Sequence, residues 1–129
     1  MKFSIIVAAA ALSLGSPIAS TAAFAHTRVT ASTPAQGATV AKPRVLKLTF
    51  SEALLPPTVA ASIVMTAMPG MPNHGDMMIR NFTIAWSNNN RTMTLTLRQP
   101  LRTGTYEVRW QAAGADGHRM KGTLNFIVS

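Results

Sequence analysis

The sequence predicts an all-β protein: a Greek-key β-barrel or sandwich of about seven strands and of immunoglobulin-like size. Three observations support this prediction. Apolar and polar residues alternate in short runs along most of the chain, turns rich in Pro, Gly and Asn separate the runs, and no convincing helical period occurs between them. The sequence also contains no internal repeat.

Seven runs provide the strands of this prediction. RVTAS at 28–32 and ASIVM at 61–65 are short, whereas the other five place apolar side chains at alternate positions, so that each strand buries one face. Turns are predicted at PAQG, LLPP, SNNN and LRTG, where Pro, Gly and Asn favour chain reversal. The alternating side chains are Leu46, Leu48 and Phe50; Phe82, Ile84 and Trp86; Met93, Leu95 and Leu97; Tyr106, Val108 and Trp110; and Leu124, Phe126 and Val128.

Residues 1–25 have the three-part organisation of a secretory signal peptide. Lys2 precedes an apolar run, and small residues then lead to Ala23-Phe24-Ala25. The alternative is a membrane anchor, but serine, glycine and proline interrupt the run before it reaches the roughly 20 apolar residues of a spanning helix. We expect cleavage after Ala25 and export to the periplasm, which makes His26 the first residue of the mature chain.

The mature chain, residues 26–129, has the length of one domain with one core. It contains no cysteine, which excludes disulfides, thiolate metal sites and thiol nucleophiles. The full sequence has 12 basic and 4 acidic residues, and loss of Lys2 leaves 11 basic ones. They are scattered singly, which favours a solvated basic surface over a nucleic-acid-binding patch. We expect neither a nucleic-acid partner nor membrane insertion after cleavage.

The segment MTAMPGMPNHGDMM, residues 65–78, interrupts the strand pattern. It holds five of the eight methionines, and its prolines and glycines exclude a regular helix or a central strand, so we expect a loop. One explanation is that the methionines fill gaps in a core. The other is a site for the soft ion Cu(I), because soft sulfur donors and one imidazole recur at every third position. Those donors are Met65, Met68, Met71, His74 and Met77, of which Met65 also continues the strand ASIVM; Met78 is a reserve ligand.

A second group of polar residues lies in ADGHRMKG, residues 115–122. Asp116 and His118 are two positions apart, so an extended backbone directs both side chains to one side, and Gly117 and Gly122 permit tight turns around them. A hydrogen-bonded pair within a loop is one interpretation, and a metal site is the other. The mature chain has three histidines: one at its new N-terminus, one in the methionine segment and one here.

These residues resemble the CopC/PcoC family of periplasmic copper-resistance proteins across the whole mature chain. The resemblance depends on the histidine directly after the signal peptide, the blocks STPAQGA and LTFSEAL, the methionine-rich segment, and Asp-Gly-His followed by Gly four residues after the histidine. It implies a Greek-key β-barrel with two copper sites. The implied Cu(II) ligands are His26, Asp116 and His118, and the implied Cu(I) ligands are Met65, Met68, Met71, His74 and Met77.

The sequence departs from the family pattern at two places. Arg119 follows His118 where a proline is usual, and His74 stands one residue farther from Met71 than expected. The chemistry of the Cu(II) donors nevertheless agrees with the resemblance. An N-terminal histidine chelates through its amine and imidazole, and a second imidazole with a carboxylate completes an N3O set that suits Cu(II) better than Zn(II) or Ni(II).

Three functions from different classes follow from these residues. The first is a periplasmic copper carrier that passes copper to membrane or outer-membrane copper-handling proteins. The second is a copper monooxygenase, because two histidines with one at the N-terminus resemble a histidine brace; Asp116 argues against it by filling the position that oxygen needs. The third is a metal-free adhesion or structural module, which leaves the methionine segment and the placement of His26 without explanation.

Overall fold

A computed structural model describes residues 27–71 and 75–129. The expected signal peptide, His26 and His74 lie outside these residues. The described part forms nine β-strands and one 3₁₀ turn, Pro56–Thr58. None of its helices is long and apolar enough to span a membrane. The strands are β1 (Val29–Thr33), β2 (Thr39–Val40), β3 (Val45–Phe50), β4 (Ala60–Ala67), β5 (Met77–Ile79), β6 (Phe82–Ser87), β7 (Thr92–Leu97), β8 (Gly104–Ala113) and β9 (Arg119–Val128).

The strands form two sheets that pack as a sandwich. One sheet has the order β1-β3-β7-β6 and the other has the order β2-β9-β8-β4-β5. Apart from the parallel pair β2 and β9, all neighbouring strands are antiparallel. This order corresponds to an immunoglobulin-type sandwich. The predicted all-β class is therefore confirmed, as two sheets and not as a closed barrel, and the strands beyond the predicted seven are the short β2 and β5.

The core lies between the sheets and contains most of the predicted alternating side chains. Most of its side chains come from β3, β7, β8 and β9, and these are less than one-tenth exposed. Phe50 packs edge-on against Trp110, with ring centroids 4.8 Å apart, and Tyr106 stacks on Phe126 at 5.6 Å. Ile84 departs from the prediction because it is 40% exposed in β6, which is an edge strand and has a neighbour on one side only.

A tyrosine fixes the beginning of β8. Tyr106 is buried, and its hydroxyl donates to the carbonyl oxygen of Arg102 at 2.8 Å, four residues upstream. This is the tyrosine corner of immunoglobulin-like sandwiches.

The predicted turn SNNN is also present, and its three asparagines all adopt a left-handed backbone, with φ between 55° and 63°. These turns define the two ends of the sandwich, where the candidate site residues lie.

Candidate metal centres

The turn between β8 and β9 brings Asp116 and His118 together. Asp116 Oδ2 lies 2.8 Å from His118 Nδ1, and its Oδ1 accepts the backbone N–H of His118 at 3.0 Å. Gly117 allows the reversal with φ of +82°, and its N–H donates to the carbonyl of Gly114. The predicted pair is therefore formed, by a tight turn and not by an extended backbone. Because Asp116 is bonded to Nδ1, the other ring nitrogen of His118, Nε2, faces away from the carboxylate.

Each member of this pair shifts the pKa of the other. The hydrogen bond with Asp116 raises the pKa of the His118 imidazole above its ordinary value. The hydrogen bond with His118 lowers the pKa of the Asp116 carboxyl. Both side chains are well exposed, at 78% for His118 and 60% for Asp116, so they are open to an ion arriving from solvent.

Gly122 has a different role from the predicted one. It lies within β9, opposite Trp110, and takes no part in the turn around His118. A Cβ atom at this position would lie 2.7 Å from Cζ2 of the Trp110 indole. The glycine is required because the indole packs directly over the backbone of β9.

Two side chains that sequence reasoning did not assign to this site border the turn. A Cβ atom built on Gly114 would lie 3.3 Å from Asp116 Oδ1, 3.7 Å from Met120 Cε and 4.0 Å from Glu52 Oε2. Glu52 is brought here by the isolated bridge that pairs Leu54 with Gly114. The block LTFSEAL contained this carboxylate, but its approach to the turn arises from a contact between segments about 60 residues apart.

The N-terminal residue of the predicted Cu(II) site lies outside the described residues. Its neighbour Thr27 is described, and the backbone N–H of Thr27 donates to Met120 Sδ at 2.9 Å. Within residues 27–71 and 75–129, no three His, Asp or Glu side chains are grouped closely enough to hold a metal ion. The described part of the predicted site is thus one imidazole and one carboxylate, with Glu52 beside them.

The methionine segment is a hairpin and not simply a loop, which corrects the prediction. Met65 lies in β4, and Met77 and Met78 lie in β5, because the prolines and glycines occupy only the connection between these strands. Met77 pairs with Met65, which places both side chains on one face of the sheet, while Met78 pairs with Val64 on the other face. Met78, the reserve ligand, therefore points away from the other thioethers.

The thioethers differ in their exposure. Met65 is 4% exposed and belongs to the core, whereas Met71 is 53% exposed and Met77 is 47% exposed. Met68 and Met71 are joined by a turn in which the Met71 N–H donates to the Met68 carbonyl at 3.0 Å. Gly70, with φ of +77°, occupies the position in this turn that requires a left-handed backbone.

A cavity of about 180 Å³ connects three of these methionines, with Met65, Met68 and Met77 in its wall beside Tyr106. The start of β5 is held by Asp76, which accepts a hydrogen bond from Arg109 of β8 at 2.9 Å. The structure thus brings together Met65, Met68 and Met77, with Met71 at the exposed end of the turn. His74 lies outside the described residues.

The two groups of side chains lie at opposite ends of β8. The methionine hairpin meets this strand at Tyr106, which pairs with Met65, and the Asp116 turn follows its last residue, Ala113. These two points are seven residue steps apart along the strand, which corresponds to about 23 Å. The arrangement provides nitrogen and oxygen donors at one end of the sandwich and sulfur donors at the other.

Comparison with known proteins decides the family of this chain. The sequence profile of the CopC domain matches residues 29–129. The chain belongs to the CopC domain family. Copper resistance protein C of Pseudomonas syringae pv. tomato is 39% identical over 111 residues, which cover 86% of each chain. Copper resistance protein C of Xanthomonas campestris pv. juglandis is 34% identical over 122 residues, 95% of this chain and 94% of the relative.

A solved structure has the same fold as this CopC domain. The crystal structure of PcoC, a methionine-rich copper resistance protein from Escherichia coli, superposes with a TM-score of 0.72 at 32% sequence identity. The match covers 81% of this chain and all of the PcoC chain. The family resemblance predicted from the sequence is therefore confirmed.

Proposed function

We propose that this protein is a periplasmic copper-binding carrier that serves copper resistance, with separate sites for Cu(II) and Cu(I). The observation that supports the proposal most is the segregation of donor types. The exposed Asp116–His118 pair lies at one end of β8, and the thioethers of Met65, Met68 and Met77 lie at the other end. Its relatives named above are copper resistance proteins, and none of the three is named as an enzyme.

The Cu(II) site consists of His26, Asp116 and His118. Nitrogen and carboxylate oxygen donors suit Cu(II), and an imidazole and a carboxylate already share one exposed turn, so both can bind one ion once their mutual hydrogen bond opens. His26 adds an amine and a second imidazole once the signal peptide is removed. Glu52 adds a further carboxylate at the edge of the site and increases its attraction for a cation.

The Cu(I) site is formed by Met68, Met71, His74 and Met77, with Met65 in the wall beneath them. Thioether sulfur selects Cu(I) over harder ions. Met71 and Met77 are about half exposed, which leaves their sulfur atoms accessible to a partner that delivers or receives copper. Membrane and outer-membrane copper-handling proteins are the partners that such a periplasmic carrier serves.

Replacement of three methionines of the β4–β5 hairpin by leucine tests the Cu(I) site. Leucine retains most of the hydrophobic volume but has no sulfur, so the triple variant Met68→Leu, Met71→Leu, Met77→Leu is expected to lose Cu(I) retention and keep Cu(II) binding. Competition with a chromogenic Cu(I) chelator measures the loss. Met93→Leu, in the core of the other sheet, is the matched control and is expected to bind Cu(I) normally. Unchanged Cu(I) affinity in the triple variant contradicts the assignment.

A further inference from the structure

Thr27 makes a contact that the copper ligands do not explain. Its backbone N–H donates to the thioether sulfur of Met120 at 2.9 Å, across 93 residues of sequence. Thr27 is 5% exposed, although it precedes the first strand, and its hydroxyl oxygen is buried without a hydrogen-bond partner among the described residues. A residue near the beginning of a domain is usually poorly ordered unless something holds it.

Two contacts hold this segment, one from each sheet. Arg28 donates its N–H to the hydroxyl of Ser51, and its carbonyl accepts the N–H of Ser51, just after β3. Met120 approaches from β9 of the other sheet. Thr27 and Arg28 therefore bridge the two sheets at the end of the sandwich where the β8–β9 turn lies.

Met120 also lies against the turn that carries the Cu(II) ligands. It follows His118 by two residues, and its Cε borders Gly114 together with Asp116 Oδ1. In β9 it pairs with Ala112, whose small side chain takes up little of the space on that face. The thioether of Met120 thus lies beside Gly114 and accepts the backbone N–H of Thr27.

We infer that Met120 is a positioning residue that anchors the N-terminal segment beside Asp116 and His118. Consecutive Cα atoms are about 3.8 Å apart, so fixing Thr27 limits how far the N-terminal histidine moves from the turn. The inference rests on the proposed Cu(II) site but assigns Met120 no bond to copper. Its sulfur is used as a hydrogen-bond acceptor, which a hydrocarbon side chain of the same size does not provide.

The test uses the mature chain, residues 26–129; the crystallised PcoC chain is matched over its whole length by 81% of this chain. Met120→Leu removes the acceptor and keeps the volume, and Met93→Leu is the control. Because one hydrogen bond contributes about 0.5–1.5 kcal/mol, we expect Met120→Leu to weaken Cu(II) binding by about two- to tenfold. In the apo-protein, exchange of the Thr27 amide hydrogen, followed by nuclear magnetic resonance, is expected to accelerate by a similar factor. Met93→Leu is expected to change neither quantity.

Two further variants separate anchoring from packing. Met120→Gln supplies an oxygen acceptor at similar length and is expected to restore both amide protection and Cu(II) affinity. Thr27→Pro removes the donor and leaves β9 intact, and it is expected to weaken Cu(II) binding as Met120→Leu does. It thereby tests the anchor even if Met120→Leu impairs folding.

The outcomes distinguish this inference from the proposed function. Unchanged Thr27 exchange and Cu(II) affinity in Met120→Leu overturn the anchor while leaving the copper site in place. Absence of Cu(II) binding in the unmodified mature protein overturns the proposed site, and amide exchange then still decides whether Met120 holds Thr27. Weakened binding in both Met120→Leu and Thr27→Pro, with rescue by Met120→Gln, supports the anchor.

Discussion

The hydrogen bonds of His118 determine which of its nitrogens is offered to a metal. Asp116 holds Nδ1 through one carboxylate oxygen and the backbone N–H of His118 through the other. The imidazole is thereby oriented with Nε2 toward solvent, while the charge of Asp116 favours the protonated ring. At the proposed Cu(II) site, protons would compete with Cu(II) for this nitrogen, and the affinity for Cu(II) is expected to fall as the pH drops through the raised pKa of His118.

Asp116→Asn tests this coupling. Asparagine removes the negative charge, so we expect the pKa of His118 to fall toward its ordinary value, as measured by nuclear magnetic resonance titration of the ring protons. The interaction between Asp116 and His118 stabilises the fold only between two pH limits. The contribution from the raised pKa of His118 is lost as the pH rises through that pKa, and the contribution from the lowered pKa of Asp116 is lost as the pH falls through the carboxyl pKa. A His118 pKa that is the same in both proteins contradicts the coupling.

At the scale of elements, β9 contributes both to the core and to the site. Its first residues follow the Asp116 turn and include Met120, and its glycine at position 122 lies under the indole of Trp110. Trp110 in turn packs against Phe50 of the opposite sheet. The position of the turn therefore depends on close packing of Trp110 over the backbone of β9.

Gly122→Ala is expected to destabilise the fold. The added methyl group would lie 2.7 Å from the Trp110 ring, and such overpacking destabilises a fold by about 1–3 kcal/mol. Urea unfolding of the apo-protein measures the change. Thr123→Ala, at the neighbouring exposed position, is the control and is expected to change the free energy of unfolding by less than about 1 kcal/mol. Equal stability of Gly122→Ala and the unmodified protein contradicts the close packing.

Strands β8 and β5 show how far the sequence predicted the elements near the candidate sites. Alternation at Tyr106, Val108 and Trp110 identified β8 because a buried face repeats every second residue. The strand β5 was not predicted, since it has three residues and prolines and glycines lie just before it. β5 is defined by its pairing with β4 and not by a local sequence pattern. The same pairing places Met77 and Met78 on opposite faces of the sheet.

For the whole molecule, the sequence predicted candidate donors but not their arrangement. His118 and Asp116 are two residues apart, and the structure pairs them through the turn at Gly117 and not through the extended backbone expected from their spacing. Glu52 and Met120 reach the same turn only through tertiary contacts, by the bridge from Leu54 to Gly114 and by the register of β9. The separation of the sulfur donors from Asp116 and His118 likewise depends on the order of strands in the sheet, which no local pattern specifies.

We propose that removal of the expected signal peptide completes a Cu(II) site at one end of the sandwich. The α-amine of His26 is a ligand only when no residue precedes it, because in the precursor this nitrogen belongs to a peptide bond. The most direct measurement compares the mature protein with a form that carries one extra residue before His26. Electron paramagnetic resonance counts the nitrogen ligands, and chelator competition gives the affinity.

We predict that the extended form loses Cu(II) affinity by orders of magnitude and loses the amine nitrogen from its spectrum, because the chelate ring of amine and imidazole can no longer form. Thermal unfolding of the two apo-proteins is expected to be nearly the same, since the change lies outside the core. Equal affinities and equal nitrogen counts in the two forms would contradict the account.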